Sequence, residues 1–128
     1  MTQLALPLFV RLKDCGEVVR YDSIASMQAQ FEPIDIENEE YEVWDAAGVR
    51  LQLSVKKSSD WLQIENTERP ETEQLANAIV EFARLQGVPI DTAKLESGDF
   101  RSVLEQVTAA VHAKRRSRSW WRRFTQRF

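Results

Sequence analysis

Cysteine and histidine are nearly absent, with one of each, Cys15 and His112, in 128 residues. A disulfide needs two thiols and a structural zinc site usually four Cys or His ligands, so intramolecular disulfides and zinc fingers are excluded. Nucleophilic catalysis by Ser or Cys generally draws on a neighbouring base, most often His. His112 stands close before Lys114 and Arg115, whose charges disfavour an imidazolium, and reads as a surface residue near a helix end. Cys15 lies in a turn between Asp14 and Glu17, where both carboxylates oppose a thiolate, and reads as incidental. A single free thiol fits a reducing compartment.

Glycine and proline are also scarce, at four residues each. There is no G-x-x-x-x-G-K-[ST], no G-x-G-x-x-G and no H-E-x-x-H, which removes the common phosphate-cradling and zinc-protease motifs. No cofactor or metal is implied. Long apolar runs are missing as well. Leu4 to Val10 lacks a preceding basic segment and a small-residue cleavage site, so it does not read as a secretory signal. It is also far shorter than the roughly 20 residues of a membrane-spanning helix. The expected location is the cytoplasm, with peripheral membrane contact left to the C-terminal segment discussed below.

What the chain does hold is charge, unevenly spread. The formal net charge is only -3, yet residues 1–113 carry all 20 acidic residues and 10 of the 17 basic ones, a balance of -10. Residues 114–128 carry the other seven basic residues and no acidic one. An acidic body is therefore joined to a cationic tail, and the sequence divides into a single domain over 1–113 and a basic aromatic segment over 114–128.

Periodicity outlines the body. Leu6, Leu8, Val10 and Leu12 alternate with Pro7, Phe9 and Arg11 as in a strand, with Phe9 adding apolar surface to the second face. Lys13-Asp14-Cys15-Gly16 supplies a turn, and Glu17 to Tyr21 resumes extended character as the second strand of a hairpin. Asp22 or Ser23 caps a short helix with Ile24, Met27 and Phe31 on one face, closed by Pro33. Glu32 to Asp45 holds seven carboxylates and no cation, and its first part reads as a loop. Tyr41 to Asp45 and Val49 to Lys57 form a hairpin around Asp45-Ala46-Ala47-Gly48, with one face buried and the other solvated, and Trp61 to Glu65 adds a further strand. A helix entered at Pro70 and left at Gly87 carries Leu75, Ala78, Ile79, Phe82 and Leu85 as a stripe. A last helix, capped by Ser97 or Asp99, carries Phe100, Val103, Leu104, Val107 and Val111. The order ββαβββαα, an antiparallel sheet of about five strands packed by helices, is an α+β fold.

Two segments are candidate binding surfaces. The first is the acidic run Glu32, Asp35, Glu37, Glu39, Glu40 and Glu42, a surface for a basic protein partner. Asp35, Glu37 and Glu39 alternate like calcium-loop ligands, but Glu40 stands where an EF-hand needs its turn glycine and Ala46 where it needs its bidentate Glu. The run therefore reads as solvated charge. The second is the tail, where Arg115, Arg116, Arg118, Arg122 and Arg123 accompany Trp120, Trp121 and Phe124. At about 100° per residue, a helical tail gathers Trp120, Trp121, Phe124 and Phe128 within an arc of roughly 100° and leaves the rest to the cations. In residue type it resembles short Arg/Trp-rich membrane-active peptides. Such a surface suits an anionic membrane; nucleic acid fits less well, because the acidic body repels a polyanion. Packing on the acidic body, on a second copy of the chain in a homo-oligomer, or remaining disordered are the plainer alternatives.

The expectations for function follow. The leading one is a non-enzymatic interaction module, such as an adaptor, inhibitor or immunity-type protein, with its acidic surface on a basic partner. The others are a peripheral membrane or assembly adaptor anchored by the tail, and a small enzyme working through carboxylates in a pocket.

Overall fold

In the computed structural model, which describes residues 4–125 apart from the side chains of 66–69 and 116–125, the first hairpin pairs β1 (Leu8–Leu12) with β2 (Val18–Tyr21). The turn is closed by the Leu12 N–H donating to the Glu17 carbonyl at 2.8 Å and the Gly16 N–H to the Leu12 carbonyl at 2.8 Å. Leu8 and Val10 are buried on one face of β1, and Phe9 on the other. A strand without a wet face belongs to a middle layer. Leu6, assigned above to the same strand, is instead half exposed ahead of β1.

The five strands run antiparallel in the order β2-β1-β3-β4-β5, where β3 is Tyr41–Trp44, β4 Val49–Val55 and β5 Leu62–Pro70. Helices α1 (Ile24–Gln30) and α2 (Pro33–Glu37) cover one face, where Met27 and Ile36 pack with Leu8, Val10, Val43, Leu51 and Leu62. Helices α3 (Thr72–Gln86) and α5 (Phe100–Thr125) cover the other, packing on Phe9, Val18 and Trp44, with Leu95 of α4 (Thr92–Glu96) at the margin. The fold is α+β, and the expected ββαβββαα order holds with two short helices, α2 and α4, interposed. Along β4 the alternation is one-sided, with Leu51 buried and Gln52 exposed, whereas β3 is buried on both faces at Val43 and Trp44.

Local chemistry explains most boundaries. Ser23 caps α1, its hydroxyl accepting from the Ser26 N–H at 3.0 Å. Pro33 does not close α1 but opens α2 at its first position, where a missing N–H costs nothing. Pro70 likewise ends β5 instead of entering α3, whose N-cap is Glu71. The stripes of α3 and α5 are buried as spaced, from Leu75 to Phe82 and from Phe100 to Val111. Leu85 is the exception at 51% exposure; it lies beside the first hairpin turn, where a Cβ on Gly16 would come within 2.9 Å of Leu85 Cδ1. Gly48 (φ +81°) turns β3 into β4 under the start of α3: a Cβ there would lie 2.6 Å from Thr72 Cγ2, and the Gly48 carbonyl accepts from the Glu71 N–H at 2.8 Å.

Candidate functional site

The acidic run is folded into a compact hook. Glu32 is the N-cap of α2, and its N–H donates to Asp35 Oδ2 at 3.2 Å. After α2 the Asn38 and Glu39 N–H groups donate to the carbonyls of Ile34 and Ile36, and Glu39 takes a left-handed conformation (φ +53°) that turns the chain back towards the sheet. The Glu40 N–H then donates to the Asp35 carbonyl at 3.2 Å, and the Glu40 carbonyl accepts from the Lys13 N–H at 3.1 Å. That last bond ties the hook to the first hairpin turn and brings in Asp14, a residue remote in sequence.

Asp35, Glu40 and Asp14 lie close to Tyr41. Its ring stacks on Phe31 with centroids 4.1 Å apart, and Phe31 meets Tyr21 edge-on at 5.4 Å. Burial, aided by the charges of Asp35, Glu40 and Asp14, pushes the Tyr41 hydroxyl up to about 12. A hydrogen bond with Asp35 raises the Glu40 carboxyl above its ordinary value, and the Asp35 and Asp14 charges act in the same direction. Carboxylates held this close together form a concentrated negative field. Leu12, Lys13, Asp14, Asn38, Glu39, Glu40 and Tyr41 line an open hollow of about 530 Å³ in this field.

Five of the six acidic candidates, Glu32, Asp35, Glu37, Glu39 and Glu40, belong to this hook, and none of them forms an ion pair with another described residue. Glu42 lies elsewhere. It sits on β3 with its side chain on the opposite face of the sheet, accepting from Arg11 at 2.7 Å and from Arg50 at 2.9 Å. Arg50 also lies 5.3 Å from the Trp44 ring centroid. Glu42 is thus held by its own fold. The register of β3 against β1 and β4, Arg11↔Glu42 and Trp44↔Arg50, brings both guanidinium groups to it. Asp45 is buried at the turn, where Oδ1 accepts from the Ala47 and Val49 N–H groups. The importance of Tyr41 and Asp14 was not visible in the sequence, because only the pairing of β1 with β3 places them together.

In the second candidate segment the α5 backbone continues as helix to Thr125. Lys114 crosses to the end of α3, where Nζ donates to the Gln86 carbonyl at 3.0 Å and the Gly87 carbonyl at 2.9 Å. Arg115 is exposed, and Arg116, Arg118, Trp120, Trp121, Arg122, Arg123 and Phe124 lie outside the residues whose side chains are described. Cys15 and His112 are both exposed. Among the described residues no group of three or more His, Cys, Asp or Glu side chains is placed to hold a metal ion, and no helix is long and apolar enough to cross a membrane.

No protein-family model matches the chain, and no curated protein or solved structure shows significant similarity to it. The class that can be stated is that of the fold, an α+β domain with its sheet covered by helices on both faces.

Proposed function

We propose that the protein is a non-enzymatic interaction module that docks a basic protein partner on the acidic hook of α2 and the start of β3, in the manner of an adaptor, inhibitor or immunity-type protein. The observation that carries this reading is the set Asp14, Asp35 and Glu40 close to Tyr41, with Glu37 and Glu39 lining the cavity beside it, and without an intramolecular cation paired to any of the five among the described residues. Like charges held together weaken the free protein and are relieved by an opposite charge, so a basic partner recovers that cost on binding. Glu42 is not part of the contact, because it is occupied by Arg11 and Arg50. An enzyme working through Glu40 is disfavoured, since that side chain is exposed at the surface of an open hollow and no enclosed pocket surrounds it.

The test is binding of the full chain to poly-lysine followed against salt. Association is expected to slow steeply as salt rises, and the triple change E37Q/E39Q/E40Q is expected to weaken it at least tenfold. Binding that ignores both salt and the triple change overturns the reading.

A second reading, attachment to an anionic membrane by the tail, is favoured by one observation. The helical backbone of α5 extends through Thr125, which the amphipathic arrangement of Trp120, Trp121, Phe124 and the arginines requires. Sedimentation with anionic vesicles should carry down the full chain and not a chain ending at Lys114; equal, negligible binding by both removes this reading.

A further inference from the structure

The sheet has an opening beside the acidic hook. β3 and β4 pair only at Val43↔Leu51 and Trp44↔Arg50, although β4 continues to Val55. Beyond that point β3 leans away. Tyr41 pairs with Leu12 of β1, and the Glu40 carbonyl is taken by the Lys13 N–H. β4 meanwhile stays with β5 through Leu53↔Ile64, Ser54↔Gln63 and Val55↔Leu62.

The alternation of an antiparallel ladder decides which backbone groups face the gap. The Lys56 N–H donates to the Trp61 carbonyl at 2.8 Å, so residues 56 and 54 turn their N–H and C=O towards β5. Leu53 and Val55 must turn theirs the other way, towards the place β3 has vacated. Among the described residues no side chain donates to or accepts from either of them. The gap opens on a cavity of about 350 Å³. Its floor is Ile36, Val43, Leu51 and Leu53, and its rim carries Glu37, Glu39 and Glu65 against Lys13, with Arg50 already held by Glu42.

A strand edge with unused donors and acceptors, an apolar floor and an acidic rim are the parts of a site for strand addition. The geometry points to an occupant: a basic segment of a partner protein, bound in extended conformation alongside Leu53–Val55. Its backbone completes the ladder left open by β3. Its apolar side chains meet the floor, and Lys or Arg towards its ends meets Glu37, Glu39 and Glu65. The inference rests on the acidic-hook reading and sharpens it, naming both the conformation of the partner and the strand it pairs with.

The experiment uses the full chain and a short blocked peptide in which Lys alternates with Val. A second copy of the peptide is N-methylated on alternate amides, and a third has Glu in place of Lys. The Lys/Val peptide is expected to bind and to slow hydrogen exchange at the Leu53 and Val55 amides. N-methylation is expected to weaken binding about tenfold or more by removing strand hydrogen bonds, and the Glu/Val peptide to bind far more weakly still. The change V55P removes one edge N–H at a position where proline is tolerated, and is expected to reduce peptide affinity with the thermal midpoint retained. If V55P fails to fold, the N-methylated peptide decides alone. Tight binding by the N-methylated peptide with unchanged exchange at Leu53 and Val55 overturns strand addition and leaves the acidic-hook reading standing. Equal binding of the Glu/Val peptide overturns the basic occupant, and failure of the Lys/Val peptide and poly-lysine alike overturns both readings.

Discussion

Glu42 holds two guanidinium groups on one carboxylate, and that side chain is only about a quarter exposed. Removing its charge strands Arg11 and Arg50 on a half-covered sheet face, so E42Q should lower the unfolding free energy by about 1–2 kcal/mol in chemical denaturation. It should leave poly-lysine binding nearly unchanged. Glu40 behaves in the opposite sense. Its carboxyl is raised in the fold by Asp35, which favours the protonated form. The stability this contributes is complete below the unfolded carboxyl value and is lost as pH rises through the raised folded value. Thermal midpoints should therefore fall between mild acid and neutral pH more for the native chain than for E40Q, and E40Q should be the more stable of the two at neutral pH. Tyr41, pushed up to about 12, should ionise later than an ordinary phenol in an ultraviolet titration.

At the scale of elements, the α1/α2 layer depends on few anchors, while α3 and α5 bury longer stripes. Met27 is the only buried residue of α1, and it is fully enclosed in the layer that also seats α2 and so the acidic hook. M27A should cost about 2–5 kcal/mol and loosen the hook, seen as faster hydrogen exchange across α2. On the other face, α3 ends at Gly87 in a left-handed conformation (φ +66°), and Lys114 supplies donors to its last carbonyls. K114A should destabilise by about 0.3–1 kcal/mol. G87A should cost about 1 kcal/mol or more, since L side chains disfavour that backbone and its Cβ would come within 3.2 Å of Lys114 Nζ.

For the molecule as a whole, the formal charge of -3 conceals two segments of unlike sign, and three of the body's carboxylates, Glu37, Glu39 and Glu65, line the opening of the sheet. Hydrophobic spacing and capping chemistry were enough to reveal the α+β class, the five strands, a cap at Asp22 or Ser23 that the structure gives to Ser23, and the buried stripes of α3 and α5 apart from Leu85, because period and capping are local physics acting on adjacent residues. It misplaced Pro33 and Pro70, since proline's fixed φ suits a helix start and a strand end equally and neighbours choose between them. It grouped Glu42 with the other carboxylates, since proximity in sequence says nothing of which face of a strand a side chain takes until the register is set. Composition and periodicity alone determined the layers of the protein and the opposition of its charges. Only the tertiary structure decided that β3 pairs with β1, draws Asp14 to Tyr41 and parts from β4 after two residues, because long-range pairing is settled by the packing of the whole sheet between its helices.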